Sequence, residues 1–426
     1  MNKLITTIFL LTISISLVFT QQVEKPQDGL FLLKNGRIET LDKGLIKADI
    51  LLDEGVIKDI SSSISHPGAQ TINCSGLLIY PGLIDAGTRL GLSEVGAVSL
   101  TQDHNEIGDF TPHMEALTAI NPSSVNIPVT RVNGVTMVLS VPSGGKLPGT
   151  ASAINLHGYT PKQMDAGFKG MICNFPSTGK RGRRDRRSEE DIIKDDKKAR
   201  KALDDFFAKA KLYAQIAKKG DSLNLEVEYN PQLAAMVPVL NGEIPLMVEV
   251  NKKRDILNAI NWIKDKKMNV IFTGVAEGYK VTDSLAKYNI PVITGPILAN
   301  PSRTSDRYDI AYSNAGKMHK AGIKVAIRTK ESENVRNLPY NAGFAATYGM
   351  GWKEAFRAIT INPAEMFGID DKYGSIERGK VANLFVTDGD PFETKTQVKY
   401  LFIKGWNIPL ESRHTLLNEE YLNREP

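Results

Sequence analysis

Short apolar runs separated by turn residues occupy both ends of this chain of 426 residues. An Asn35-Gly36 pair after the first of these runs is a strong hairpin signal. Further turn signals are present at 53–55 and at 404–405. The pattern predicts one small β-sandwich domain formed by two segments, 27–80 and 374–412. Its strand-like runs are 30–33, 46–52, 56–60, 382–387, 398–403 and 406–408.

In the middle of the chain, buried-strand candidates alternate with helical stretches such as 254–266 and 282–288. This alternation predicts a parallel sheet with helical crossovers, and its extent suits a (β/α)8 barrel over 81–373. A doubly wound open sheet is the alternative, but no Gly-x-Gly-x-x-Gly follows an early strand. The strand candidates are 135–140, 246–250, 270–273, 292–294 and 325–327.

A strongly charged segment, 178–220, interrupts this alternation. It contains a basic run at 180–187 and continues into a predicted helix for which Ser188 is the N-cap. Such a segment is usually a solvated insertion followed by an exposed helix face. The alternative is a docking surface for an acidic partner or an anionic polymer.

The N-terminus has the pattern of an export signal. Lys3 precedes an apolar stretch at 4–18, and the polar pair Gln21-Gln22 follows soon after it. The apolar stretch is short for a bilayer span, so an uncleaved anchor is the weaker alternative. We therefore predict that 1–20 is a signal peptide, and that the mature protein is exported to the periplasm or beyond without a transmembrane anchor.

The remaining composition excludes little. The formal net charge is +5, and no recognised nucleic-acid motif accompanies it, so no nucleic-acid partner is predicted. The chain has two cysteines, Cys74 and Cys173, which are too few for a disulfide framework. A bridge between them is the alternative, but buried free thiols are the prediction.

The segment 80–90 reads Tyr-Pro-Gly-Leu-Ile-Asp-Ala-Gly-Thr-Arg-Leu. It resembles the first barrel strand of metal-dependent amidohydrolases, in which Pro-Gly-Leu-Ile-Asp-Ala precedes His-x-His. Together with other segments it resembles the imidazolonepropionase-like branch of the amidohydrolase superfamily, over about residues 29–415. These other segments are 119–122, 131–136, 142–145, 277–281, 337–343, 358–365 and 374–384.

The resemblance implies a (β/α)8 barrel that carries a β-sandwich made from both termini. It also implies hydrolysis of C–N bonds in amides, small rings or dipeptide-like substrates. In that family one or two divalent metals, usually zinc, polarise the carbonyl and activate a bound water. Such a site needs neutral imidazoles and a carboxylate that converge from several strand ends.

All five expected metal-site positions depart from the family pattern. The His-x-His pair of the first strand is replaced by Gly87 and Arg89. Glu249 and Ala276 stand where the fifth and sixth strands would supply histidines, and Lys330 replaces the catalytic aspartate of the eighth. We therefore predict that the ancestral zinc or other divalent metal is lost, that these former positions include no catalytic residue, and that the protein has no cofactor.

The replacements suggest how the vacated space is neutralised. We expect Arg89, Glu249 and Lys330 to converge, with Glu249 bridging the two cations. Side chains that lie well apart would contradict this hypothesis. The candidates for lining the pocket are Arg89, Glu249, Glu277, Tyr279, Lys330 and Glu331.

Three functions remain open. The first is a catalytically inactive homologue, a pseudoenzyme, that pairs with an active amidohydrolase paralogue or with itself, or binds a ligand in the old pocket. The second is an active hydrolase with a relocated or metal-free site. It would use His104 and His113 with Glu249 or Glu331 as metal ligands, or Lys330 as base or nucleophile. His157 is predicted to pack beside Tyr159. The third is a carbohydrate- or peptide-binding component of an uptake system.

Overall fold

Two eight-stranded sheets organise the residues that this computed structural model describes, 25–179, 185–223, 226–301 and 306–424. The predicted signal peptide, 1–20, and most of the basic run, 180–184, lie outside the described residues. In chain order the strands are β1 Phe31–Glu39, β2 Leu45–Asp53, β3 Val56–Ser61, β4 Gln70–Asn73, β5 Leu78–Pro81, β6 Leu83–Thr88, β7 Val135–Ser140, β8 Gly149–Asn155, β9 Asp165–Asn174, β10 Leu246–Val250, β11 Val270–Gly274, β12 Val292–Thr294, β13 Val325–Ile327, β14 Leu384–Thr387, β15 Val398–Ile403 and β16 Trp406–Asn407.

The first sheet combines β1 to β5 with β14 to β16, in the order β16-β15-β14-β5-β1-β2-β3, and β4 pairs with β1. The antiparallel pairing of β14 with β5 brings the two ends of the chain together in this sheet. The turn at 53–55 is a tight hairpin turn, because Glu54 and Gly55 both have positive φ. The sheet packs against the barrel through aromatic rings, since Tyr80 of β5 lies 5.4 Å from Phe356, in a helix that follows the last barrel strand, between ring centroids.

The hairpin prediction at Asn35-Gly36 was wrong. Strand β1 runs straight through this pair, and its register against β2 shifts between Leu33 and Gly36. Asn35 has a φ of 61° and donates its backbone N–H to Asp49 Oδ1 at 2.8 Å. The left-handed residue therefore forms a β-bulge, which uses the same Asn-Gly preference as a hairpin turn.

The second sheet is a barrel with the order β13-β12-β11-β10-β9-β8-β7-β6. It closes where β6 meets the chain after β13, since the Lys330 N–H donates to the Gly87 carbonyl at 3.0 Å. This confirms the α/β barrel with an additional sheet from both termini. One detail of the (β/α)8 prediction is corrected, because β8 is antiparallel to both β7 and β9.

Helices cover the barrel between its strands. The charged segment forms the 35-residue helix α4, Glu189–Leu223, which begins after Ser188 as predicted. The Ser188 hydroxyl accepts the Asp191 N–H at 3.1 Å. One side of α4 is buried against the barrel through Leu203, Phe207 and Ala210. The helices are α1 Ala116–Ala119, α2 Asn126–Arg131, α3 Pro161–Met164, α4 Glu189–Leu223, α5 Pro231–Ala234, α6 Val237–Leu240, α7 Lys253–Ile263, α8 Thr282–Lys287, α9 Ile310–Lys320, α10 Leu338–Ala345, α11 Trp352–Arg357, α12 Ile361–Phe367 and α13 Arg413–Leu422.

Two other features bear on the sequence predictions. Cys74 and Cys173 are both buried and free, which confirms the prediction of unpaired thiols. Within residues 25–179, 185–223, 226–301 and 306–424, no helix has both the length and the apolar content needed to cross a bilayer.

Candidate functional site

A cavity of about 180 Å³ opens at the carboxyl ends of the barrel strands. This is the mouth at which barrels of this kind place their functional groups, because the loops that follow the strands converge there. Its charged and polar lining includes Arg89, Ser143, Glu249, Thr273, Arg328 and Lys330. The floor is apolar and includes Ile172 and Met247.

An ion pair between Glu249 and Arg328 crosses this mouth. The guanidinium binds the carboxylate through two nitrogens, with Nη1 to Oε2 at 2.8 Å and Nη2 to Oε1 at 2.9 Å. The side chain of Arg328 is 6% exposed and that of Glu249 is 19% exposed. Two parallel charge-assisted hydrogen bonds of this kind fix the orientation of both groups.

Further donors complete the environment of the Glu249 carboxylate. The Lys330 ammonium lies 3.2 Å from Oε1, and the Thr273 hydroxyl donates to Oε2 at 2.7 Å. Burial of Glu249 by itself raises the pKa of its carboxyl group. The positive charge and hydrogen bonds of Arg328 outweigh that effect, with help from Lys330 and Thr273, and hold the pKa well below its ordinary value. Glu249 is therefore a fixed carboxylate with its lone pairs engaged.

The missing side chain at Gly87 makes room for the guanidinium. A Cβ atom placed on Gly87 would lie 3.0 Å from Cδ of Arg328 and 3.5 Å from its Cβ. A side chain at this position would therefore press on the stem of Arg328, which would have to shift. Glycine in place of the first histidine of the family pattern therefore provides the space that the Arg328 side chain occupies.

Beneath the mouth, the buried carboxyl group of Asp85 connects β6, the first barrel strand, to Thr329, which follows β13, the last barrel strand. Asp85 is fully buried and accepts the backbone N–H of Gly87 at 3.0 Å and that of Thr329 at 3.1 Å. The Thr329 hydroxyl also donates to it. Burial raises the pKa of Asp85 to about 7, although these hydrogen bonds and the charge of Arg328 oppose the rise.

The structure brings together only part of the predicted cluster. Glu249 contacts Lys330 as expected, but its second cation is Arg328 and not Arg89. Arg89 also lines the cavity, yet its side chain is exposed and forms no ion pair within the described part of the chain. The hypothesis of a Glu249 bridge is therefore correct for Lys330 and wrong for Arg89.

Two other pocket candidates, Glu277 and Tyr279, follow strand β11 and lie outside the cavity. Glu277 faces the start of α7, where it accepts the Lys253 N–H at 2.7 Å and the Lys280 ammonium at 2.8 Å. Tyr279 lies beneath the ammonium groups of Lys280 and Lys317, 5.2 and 5.0 Å from its ring centroid. These residues and the exposed Ala276 follow a turn at which Val275 has a φ of 48°. That turn directs the loop away from the mouth.

Glu331 and the histidines do not form a relocated centre. Glu331 is exposed and receives the Arg89 N–H through its backbone carbonyl. His104 is buried, and burial followed by the charge of Arg89 lowers the pKa of its imidazole. His113 is half-buried elsewhere. His157 packs 6.3 Å from Tyr159 and 5.2 Å from Trp406, between ring centroids.

The groups at the mouth do not fit a divalent metal. Across the described ranges, no group of three or more His, Cys, Asp or Glu side chains is placed to hold one. The one carboxylate that described residues contribute to the cavity lining, Glu249, is already bound by Arg328 and Lys330. An arginine cannot be deprotonated in a protein, so its charge repels a dication at this place.

Comparisons with known proteins agree with this architecture. The model of the Amidohydrolase family matches residues 253–407. A dihydroorotase from Streptococcus pneumoniae is 42% identical over 57 residues, which are 13% of this chain and 14% of that protein. An imidazolonepropionase from Flavobacterium johnsoniae is 35% identical over 99 residues, 22% of this chain and 23% of that protein. The matched segments thus span less than a quarter of these relatives.

A solved structure matches over a much longer stretch. The amidohydrolase from Thermotoga maritima is 26% identical and superposes with a TM-score of 0.78. The match covers 89% of this chain and 99% of the other. The barrel, the additional sheet from both termini and these similarities together establish that the chain is a member of the amidohydrolase superfamily.

Proposed function

We propose that this protein is an exported amidohydrolase homologue without metal-dependent hydrolase activity, and that it acts by binding a ligand or a partner subunit. The observation that supports the proposal most strongly is the Arg328–Glu249 ion pair at the barrel mouth. It places a permanent cation among the positions from which metal ligands would project.

The proposal follows from the chemistry that the family uses. Hydrolysis in that family depends on a metal that polarises the substrate carbonyl and lowers the pKa of a bound water. Neutral imidazoles are the ligands for such a metal, and none of the former positions carries one. Restoring one ligand would not suffice, because Arg328 would still occupy the space above Gly87.

A retained cavity favours binding as the remaining role. The fold is kept over nearly the whole described chain, and the mouth still encloses about 180 Å³. An apolar floor with a few fixed polar groups above it is the usual composition of a small-molecule site. The partner in the second form of the proposal is an active amidohydrolase paralogue or a second copy of this chain.

Export is proposed from the pattern of residues 1–20 alone. Expression in the native host followed by fractionation tests it. We expect the protein outside the cytoplasm with an N-terminus near Gln21, and recovery of the full-length chain in the cytoplasm would contradict it.

The alternative is an active hydrolase with a metal-free site, and Lys330 is the residue that favours it, because its ammonium lines the cavity. An ammonium group bound to a carboxylate has no lone pair with which to attack a carbonyl carbon. Since Lys330 lies 3.2 Å from Glu249, the ion pair speaks against this role. The relatives are named as enzymes, a dihydroorotase and an imidazolonepropionase, but their activities are not evidence for activity of this chain.

Two measurements test the proposal together. Elemental analysis of protein expressed with added zinc and purified without chelator should find well below one metal ion per chain. The same protein should not hydrolyse cyclic amides, N-acyl amino acids or dipeptides, with or without added Zn²⁺ or Mn²⁺. One ion per chain, or turnover that Lys330→Met abolishes, would contradict the proposal. Affinity capture from the native compartment then tests for an amidohydrolase partner.

A further inference from the structure

The cavity at the barrel mouth carries more positive than negative charge. Among the residues that the structure describes, the charged lining consists of three cations, Arg89, Arg328 and Lys330, and one carboxylate, Glu249. The formal balance is therefore +3 − 1 = +2. An enclosed space with an excess of one sign concentrates ligands of the opposite sign.

The excess charge is not distributed evenly. Arg328 and Glu249 neutralise each other through two hydrogen bonds and are held in place by burial. Lys330 contacts the same carboxylate at Oε1, 3.2 Å away, but 51% of its side chain is exposed. Arg89 has no carboxylate partner within the described part of the chain. Arg89 and Lys330 are thus the two groups able to receive an anion.

A neutral donor lies beside these cations. Ser143 lines the cavity, and its hydroxyl forms no hydrogen bond to any other described residue. Its loop is held rigidly, since the Asn174 amide donates to the carbonyls of Gly144 and Gly145 at 2.6 and 2.9 Å. The Ser143 N–H is also fixed by the His104 carbonyl, at 2.6 Å.

The rest of the lining limits the body of the ligand. Ala86, Val141, Pro142, Ile172 and Met247 supply apolar surface. Such a floor suits a short aliphatic chain and gives no hydrogen bonds to a fully polar ion such as inorganic phosphate. A volume of about 180 Å³ matches the size of a small organic molecule.

We propose that the barrel mouth binds a small aliphatic carboxylate, with its carboxylate between Arg89, Lys330 and the Ser143 hydroxyl and its alkyl chain on the apolar floor. This inference rests on the ligand-binding form of the proposed function and names the ligand class. The Arg328–Glu249 pair forms a fixed wall of the site. Because its two charges neutralise each other, it does not serve as the binding group for the anion.

Calorimetric titration with butyrate, butyramide and inorganic phosphate tests the proposal on the full mature chain. Butyrate should bind at one site per chain with a Kd of about 1 mM or tighter. Butyramide has the same shape without the charge and should not compete. Added salt should weaken butyrate binding, because Arg89 is exposed.

Variants identify the site. Arg89→Met should weaken butyrate binding about tenfold or more, and Lys330→Met should act in the same direction. The matched control is Lys287→Met, which removes an exposed cation that stacks on Tyr288 outside the cavity, and it should change nothing. Thermal unfolding of each variant establishes that the chain is folded.

The outcomes separate this inference from the function on which it rests. No saturable binding of butyrate, equal binding of butyramide, preferred binding of phosphate, or an Arg89→Met variant with unchanged affinity would each overturn the carboxylate site. The metal-free, inactive protein would survive any of these results. One metal ion per chain or hydrolytic turnover would instead overturn the proposed function, whatever butyrate does.

Discussion

Removal of Arg328 should destabilise the protein far more than removal of a surface cation. In Arg328→Met the Glu249 carboxylate keeps its burial and loses the two hydrogen bonds, of 2.8 and 2.9 Å, that compensate its charge. Truncation of one partner of a buried ion pair costs about 3–5 kcal/mol. Lys330 and Thr273 remain as donors, so we expect the lower end, about 3 kcal/mol.

A double-mutant cycle isolates the pair from its surroundings. Glu249→Gln alone should also be costly, because it leaves the guanidinium of Arg328 buried without a counter-charge. The double variant should cost at least about 2 kcal/mol less than the sum of the two single variants. Urea unfolding at neutral pH, followed by both fluorescence and circular dichroism, gives the three free energies.

The exposed ion pair between Lys324 and Glu365 is the matched control. Its atoms are closer, at 2.6 Å, but the lysine side chain is 50% exposed and the glutamate 28%. The same cycle with Lys324→Met and Glu365→Gln should give a coupling below about 1 kcal/mol. Effects of Arg328→Met and Glu249→Gln that add within about 0.5 kcal/mol would refute the role assigned to the buried pair.

The pair also has a signature in pH. The folded-state pKa of Glu249 is held below its ordinary value of 4.5. Its contribution to stability is therefore present above about pH 4.5 and is lost as the pH falls further. The wild type should lose stability in this acidic range more steeply than Glu249→Gln.

Three further predictions concern single sites. Gly87→Ala should cost about 1–3 kcal/mol, because its Cβ presses on Cδ of Arg328, whereas Gly96→Ala, with no atom within 4 Å, should be nearly neutral in the same urea titration. Asp85 has a pKa raised from 3.8 to about 7, so its stabilising contribution is complete below pH 3.8 and is lost as the pH rises through 7. Asp85→Asn should flatten the decline of stability over that window, and an unchanged pH profile would contradict the assignment. Both thiols should resist a thiol reagent in the native protein and react in denaturant, and a native thiol that reacts at once would contradict their burial.

The sequence predicted the strands whose apolar runs are continuous. The runs at 246–250, 292–294 and 325–327 coincide with β10, β12 and β13. These strands are buried on both faces, so they read as unbroken hydrophobic stretches. Strands β8 and β9 were missed because they contain glycine, alanine and asparagine, which are depleted in strands. Both strands are largely buried by the packing of the barrel, and the local sequence pattern does not indicate that burial.

The site was predicted from the five positions at which the family would have metal ligands or the catalytic aspartate. Arg328, the residue at the centre of the site, is not one of those positions and was therefore missed. A signal was nevertheless present, since a charged residue directly follows the buried run 325–327 at a barrel strand end. Conversely, Ala276, Glu277 and Tyr279 were placed at the mouth by their motif, while the turn at Val275 carries them elsewhere.

The central claim is that a guanidinium group stands where the family places its metal. The most direct measurement is a crystal structure of the protein grown with excess zinc, with anomalous data collected at the zinc absorption edge. The account predicts no anomalous peak at the barrel mouth, and Arg328 bound to Glu249 through both terminal nitrogens. A zinc peak coordinated by Glu249, with Arg328 displaced from the cavity, would contradict it.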